Sequence, residues 1–208
     1  MSSPSPPATD PSTLAYGEVP DAALFLRASE EDPEAIETLH RRHHSAWCRT
    51  ATGLLGRIDL GEEVVQEVWI HGLALLQDGR LDPGIATAAF RRMVVRRSLD
   101  LLRRRRRRDR LLRLFGATAL KPEPARPSAD PLLGNRLRLA LDQLPEGQRV
   151  PLLLREIDGW SGHEIAEALD LGVDTVDQRI SRARKRLREL LEKQGITDST
   201  PARGPDMP

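Results

Sequence analysis

A single cysteine, Cys48, in 208 residues excludes an internal disulfide framework and makes a reducing, cytoplasmic interior the expected setting. Aromatic residues are nearly as scarce. Three Trp, three Phe and one Tyr leave little from which to build an all-β design or a large aromatic pocket. No apolar run approaches the roughly 20 residues of a membrane span. The opening MSSPSPPATDPST lacks the features of a signal peptide, so no membrane insertion is expected. There is no internal repeat and no strand pattern. What remains is helical: apolar residues at 39% can support a core, and the length fits two small domains with linkers better than one bundle.

The net charge of +1 conceals strong segregation. Between Arg96 and Arg113 ten arginines stand against two acids, and between Arg179 and Arg188 six basic residues stand against none. From Asp59 to Gln77, by contrast, there are four acids and no Lys or Arg. Two basic helical stripes and one acidic helix suit a polyanion and a separate protein surface. Nearly all the positive charge is Arg, whose forked guanidinium matches phosphate and guanine.

The order of signals predicts an all-α fold of two small helical domains joined by a flexible linker. Residues 1–20 read as a tail rich in Ser, Pro and Ala. The first domain spans 21–115. Asp21 is placed to cap a short helix, Asp32-Pro33 starts a second, and Gly56 ends it. Asp59 opens the acidic helix, Gln77 to Gly84 reads as a loop, and a long basic helix runs from about Ala86 to Phe115. Residues 116–131, rich in Pro, read as linker. The second domain spans 132–193, and 194–208 is a second tail. Pro151 inside a predicted helix costs about 3 kcal/mol or more, which predicts a kink or a later helix start.

In the second domain Ser161-Gly162-His163-Glu164 forms a capping box, and the turn Asp170-Leu171-Gly172 leads into a helix with Val176, Ile180, Ala183, Leu187 and Leu190 on one face. Two helices joined by a short Gly-containing turn, the second dense in Arg, form a helix-turn-helix pattern. Thr175, Gln178, Arg179, Ser181 and Arg182 stand where base edges are read, Asp177 where a cytosine amino group can donate to it, and Arg184 and Lys185 further along where phosphates lie.

His40, His44 and Cys48 recur at successive fours and are zinc-ligating types. No fourth ligand is evident and the His-Glu-x-x-His pattern is missing, so neither a metal nor another cofactor is expected. No nucleophile or acid–base pair points to an enzyme. On the residues alone the second domain reads as a DNA-binding unit rather than a solvated surface helix, which leaves a stand-alone helix-turn-helix regulator as one reading.

Three further stretches are more specific. Glu34-Ala-Ile-Glu-Thr-Leu-His-Arg-Arg-His43, Gly61-Glu-Glu-Val-Val-Gln-Glu-Val-Trp-Ile70 and Ser98-Leu-Asp-Leu-Leu-Arg-Arg104 resemble the sigma-2 domain of extracytoplasmic-function (ECF) sigma factors. Leu144-Pro-Glu-Gly-Gln-Arg149, Leu152 to Gly159, Glu164-Ile-Ala166 and Arg179-Ile-Ser-Arg-Ala-Arg184 resemble their sigma-4 domain. That resemblance implies docking of core RNA polymerase, through its clamp coiled coil and its flap, with Glu62, Glu63, Gln66 and Glu67 on the clamp-binding surface. It implies contact with the minus-ten element through Asp78, Arg80, Arg92, Arg96, Arg97 and Arg103, and with the minus-thirty-five element through the residues from Thr175 to Lys185 named above. It also implies an anti-sigma factor as a partner. The polymerase supplies the chemistry, so no catalytic residue is needed here.

The chain departs from the family in places. A frequent Phe-x-x-Trp is Ala86 and Ala89, a common Asn is Arg96, and a frequent Gly and Lys are Asp174 and Asp177. Base stacking is worth about 1–3 kcal/mol, so strand capture is expected to weaken unless Phe90 substitutes.

Overall fold

A computed structural model describes residues 19–114 and 131–194, and the chain divides into two compact units. Phe115, the expected linker up to residue 130, and most of both tails lie outside the described residues, while Pro131, expected in the linker, begins a helix. All regular structure among the described residues is helical. Unit 1 holds α1 (Asp21–Ser29), α2 (Pro33–Leu55), α3 (Ile58–Gln77), a 3-10 turn (Pro83–Ile85) and α4 (Ala86–Leu114). Unit 2 holds α5 (Pro131–Asp142), α6 (Glu146–Asp158), α7 (Gly162–Leu169) and α8 (Val173–Lys193). No helix among the described residues is long and apolar enough to cross a membrane.

In unit 1, local chemistry sets the ends of α2. The Asp32 carboxylate accepts from the amides of Glu34 and Ala35 at 3.0 and 3.3 Å, Pro33 takes the first helical position, and Gly56 closes the helix at φ 71°. The apolar stripes of α1 to α4 then meet around rings. Phe90 lies 5.3 Å from Phe25, 5.4 Å from Trp47 and 5.3 Å from Trp69. Gly72 makes room for it, since a Cβ there would fall 2.3 Å from the Phe90 ring. Val19, inside the segment assigned by composition to a tail, is itself a buried member of this core.

Two points left by the sequence are decided here. Phe90 is 0% exposed and Ala86 is equally buried, so Phe90 cannot stack on a nucleotide in place of the missing aromatics. Asp21 does not cap α1, whose N-cap is Pro20. Its carboxylate instead accepts from Arg42 Nη1 at 2.6 Å, bonds His43 Nε2 at 2.7 Å and accepts from Thr87 Oγ1 at 3.3 Å, tying α1 to α2 and α4. Burial would raise the Asp21 pKa, but the Arg42 hydrogen bond and the His43 and Arg42 charges outweigh it and hold the carboxyl below its ordinary value.

In unit 2, α6 starts directly after Pro145 and runs unbroken through Pro151 to the left-handed cap Gly159, so the predicted later start does not occur. Pro151 forfeits one backbone bond and crowds the preceding turn, together about 3 kcal/mol. A continuous helix in return buries Val150, Leu152, Leu153 and Leu154 together with the proline ring. The capping box forms as read: Ser161 Oγ accepts from the Glu164 amide at 3.2 Å, and the Glu164 carboxylate accepts from the Ser161 amide at 2.7 Å. Ser161→Ala is expected to cost about 1 kcal/mol, seen as a lower urea midpoint for unit 2 with unchanged slope.

Candidate nucleic-acid interface

The buried stripe of α8 (Val176, Ile180, Ala183, Leu190) fixes what the rest of the helix presents. Gln178, Ser181, Arg182 and Lys185 are exposed, while Thr175 and Arg179 are half-buried. Arg179 lies over the start of α6, its Nη1 within 3.4 Å of where a Gly147 Cβ would stand. Asp177 and Arg184 turn toward α6. Arg155 Nη2 stands 3.5 Å from Asp177 Oδ1, and Arg184 donates through Nε and Nη2 to Glu156 Oε1 at 3.0 and 2.6 Å. Neither ion pair is visible in sequence, because the partners lie 22 and 28 residues apart.

Two grooves flank α8. One, of about 770 Å³, is basic and runs along Arg155, Asp177, Ser181, Arg184, Lys185 and Arg188. The other, of about 430 Å³, is apolar, with Leu137, Leu141, Leu153, Ile157, Leu187 and Leu191 in its lining.

In unit 1, α3 exposes Glu62, Glu63, Gln66 and Glu67 on the side away from Val64, Val65 and Val68. The same surface carries Ile70 at 67% exposure, which the sequence reading missed; a large apolar side chain three residues beyond an acid on a helix was the available signal. Asp78 and Arg80 are exposed beyond α3, Arg96 and Arg103 are exposed on α4, and Arg92 and Arg97 are half-buried.

The acidic and basic sets meet at one point. Arg97 Nε donates to Glu67 Oε2 at 2.5 Å, beside a groove of about 370 Å³ between α3 and α4. The Arg97 hydrogen bond, with the charges of Arg97 and Arg104, holds the Glu67 carboxyl below its ordinary value, and Glu67 in turn raises the Arg97 pKa.

The histidines serve packing. His43 stacks on Trp47 at 5.1 Å and His40 on His44 at 4.1 Å, while His44 Nε2 lies 3.5 Å from Cys48 Sγ. Among the described residues no group of three His, Cys, Asp or Glu side chains is arranged to hold a metal. Burial, helped by the Glu62 charge, pushes the Cys48 thiol up, which suppresses the reactive thiolate.

A capped helix-turn-helix with an arginine-rich second helix, joined in one chain to an acidic and basic helical unit, defines a DNA-binding protein of transcription. Comparison with known proteins sharpens that class. The model of sigma-70 region 4 matches residues 134–187. The chain is 32% identical over 160 residues to the ECF RNA polymerase sigma factor SigE of Mycolicibacterium smegmatis, covering 76% of this chain and 62% of that relative. It is 31% identical to EcfG of Rhodopseudomonas palustris (73% of this chain, 82% of the relative) and 31% identical to CnrH of Cupriavidus metallidurans (83% and 94%). Among solved structures, CnrH in complex with the cytosolic domain of CnrY superposes with TM-score 0.63 at 26% identity, over 83% of this chain and 97% of that one. The sigma factor RpoE in complex with the anti-sigma factor NepR from Bartonella quintana shares the fold at TM-score 0.57, 24% identity, 71% of this chain and 91% of that one. The chain belongs to the ECF RNA polymerase sigma factors.

Proposed function

We propose that this chain docks on core RNA polymerase through α3 of unit 1 and directs it to promoters whose minus-ten and minus-thirty-five elements are contacted by α4 and α8. One observation carries the choice over a stand-alone regulator: unit 1 presents a continuous acidic face, Glu62, Glu63, Gln66 and Glu67 with Ile70 beside them, which a simple repressor does not need. Such a face suits a partner surface of complementary, basic charge.

On α8, Gln178 and Arg182, exposed and outside the lining of the α6–α8 groove, form the reading set, with Ser181 at the groove edge and Lys185 further along where phosphates lie. On α4, Arg96 and Arg103 reach the minus-ten region, and Asp78 and Arg80 flank the displaced strand. With Phe90 buried, strand capture relies on Arg and backbone contacts rather than on a stacked ring. The apolar groove of unit 2 is the surface for the polymerase flap, and an anti-sigma factor regulates the chain by covering these surfaces; among its structural relatives, CnrH is in complex with CnrY and RpoE with the anti-sigma factor NepR. The polymerase performs phosphoryl transfer; this chain positions it.

Run-off transcription with core polymerase and a pool of genomic promoters tests the reading. Duplex binding without any transcript would defeat it. Arg182→Ala is expected to reduce promoter affinity a few-fold. The salt slope should fall by about one if the contact is to phosphate, or preference at one base position should relax if it is to a base. No change of either kind would remove Arg182 from the interface.

A further inference from the structure

Asp177 is an acid on the helix that reads DNA, so simple electrostatics predicts that it weakens binding. We propose the opposite: Asp177 is a positioning residue that holds Arg155 at the rim of the α6–α8 groove, and this groove is a phosphate-binding site for one strand of duplex DNA. The inference rests on the reading that unit 2 binds DNA.

Three observations support it. First, the groove is cross-laced. Arg155 of α6 is held by Asp177 of α8, 3.5 Å apart, and Arg184 of α8 is held by Glu156 of α6 at 2.6 Å. Each arginine is therefore steadied by an acid from the facing helix, which limits the rotamer freedom that a phosphate contact must otherwise freeze. Second, the pairing leaves donors to spare. A guanidinium carries five N–H donors in a fixed fork; Asp177 engages one nitrogen of Arg155, so the remaining fork is available to a phosphate oxygen. Third, the groove stays basic with both acids in place. Arg155, Arg184, Lys185 and Arg188 line it with Asp177, Glu156 pairs with Arg184 from α6, so four cations face two acids, and Ser181 adds a hydroxyl donor between them. The Arg155–Asp177 pair sits over Gly162, where a Cβ would lie 3.4 Å from Arg155 Nη2 and 3.6 Å from Asp177 Oδ1. The absence of a side chain at the start of α7 keeps that edge of the pair open.

Phosphate contacts carry no sequence information, so the test needs no promoter. The full chain is titrated against a short duplex of random sequence by filter binding, at low and at moderate salt. Asp177→Asn is expected to bind roughly three- to tenfold more weakly, with the salt slope reduced by about one. Arg155→Ala should show the same loss, the double variant should be no weaker than Arg155→Ala alone, and Asp177→Glu should restore binding. Asp177 and Arg155 are both partly exposed, so neither change threatens the fold. If the wild-type chain binds and Asp177→Asn binds equally or more tightly, or if the two losses add, the positioning role is wrong while DNA binding stands. If the wild-type chain binds no duplex, the DNA-binding reading falls and takes this inference with it.

Discussion

Phe90→Ala should strip about 3–5 kcal/mol from unit 1, the range for emptying a buried aromatic site. The ring is fully enclosed and touches Phe25, Trp47 and Trp69 from three helices, so no single neighbour can collapse into the space. Gly72 cannot help, because it lies directly against the ring and has no side chain to offer. Native-state hydrogen exchange checks the expectation: amides of α2 and α3 should lose protection by that amount while those of α7 and α8 keep theirs. A loss below about 1 kcal/mol would show that the ring is peripheral to the core.

The second large effect belongs to Glu67→Arg. Reversing the charge at the centre of the acidic face should weaken association with core polymerase by roughly 30-fold or more, the scale of an interface hot spot. The fold should survive, since the Glu67–Arg97 pair is close to half-exposed on both sides and such pairs contribute no more than about 1 kcal/mol. A pull-down with purified core polymerase, with thermal melting as the control for folding, measures both quantities. Unchanged retention of polymerase would remove α3 from the docking surface. Glu67→Gln separates loss of the acid from repulsion by the new cation and should fall between the two.

Much of the architecture was legible because it is encoded locally. Asp32-Pro33 and Gly56 bracket α2, and Ser161 with Glu164 starts α7, since each cap satisfies amides or carbonyls within four residues of itself. The stripe from Val176 to Leu190 announced the buried side of α8 for the same reason. What could not be read depends on which helices meet. Phe90 looked available for stacking because sequence spacing says nothing about Gly72 opening a hole opposite it. Asp21 had the chemistry of a cap, yet Arg42 and His43 on α2 compete for the same oxygens and win. Pro151 carries a penalty that only the burial of its neighbours reveals as affordable. The candidate interface residues of α8 share one helix in sequence, but only the docking of α6 shows that Asp177 and Arg184, both exposed, pair with Arg155 and Glu156. The Glu67–Arg97 bridge likewise joins residues that sequence reasoning had assigned to two separate surfaces.

The placement of the three tryptophans has a practical consequence. Trp47 and Trp69 are buried side by side in unit 1, their rings 4.9 Å apart, and Trp160 is buried in unit 2. Each unit thus carries its own intrinsic fluorophore. Replacing Trp160 with Phe leaves emission that reports on the first unit alone, and replacing the other two leaves a probe of the second. Binding of polymerase or of DNA can then be followed optically, one half of the molecule at a time, without attaching a dye.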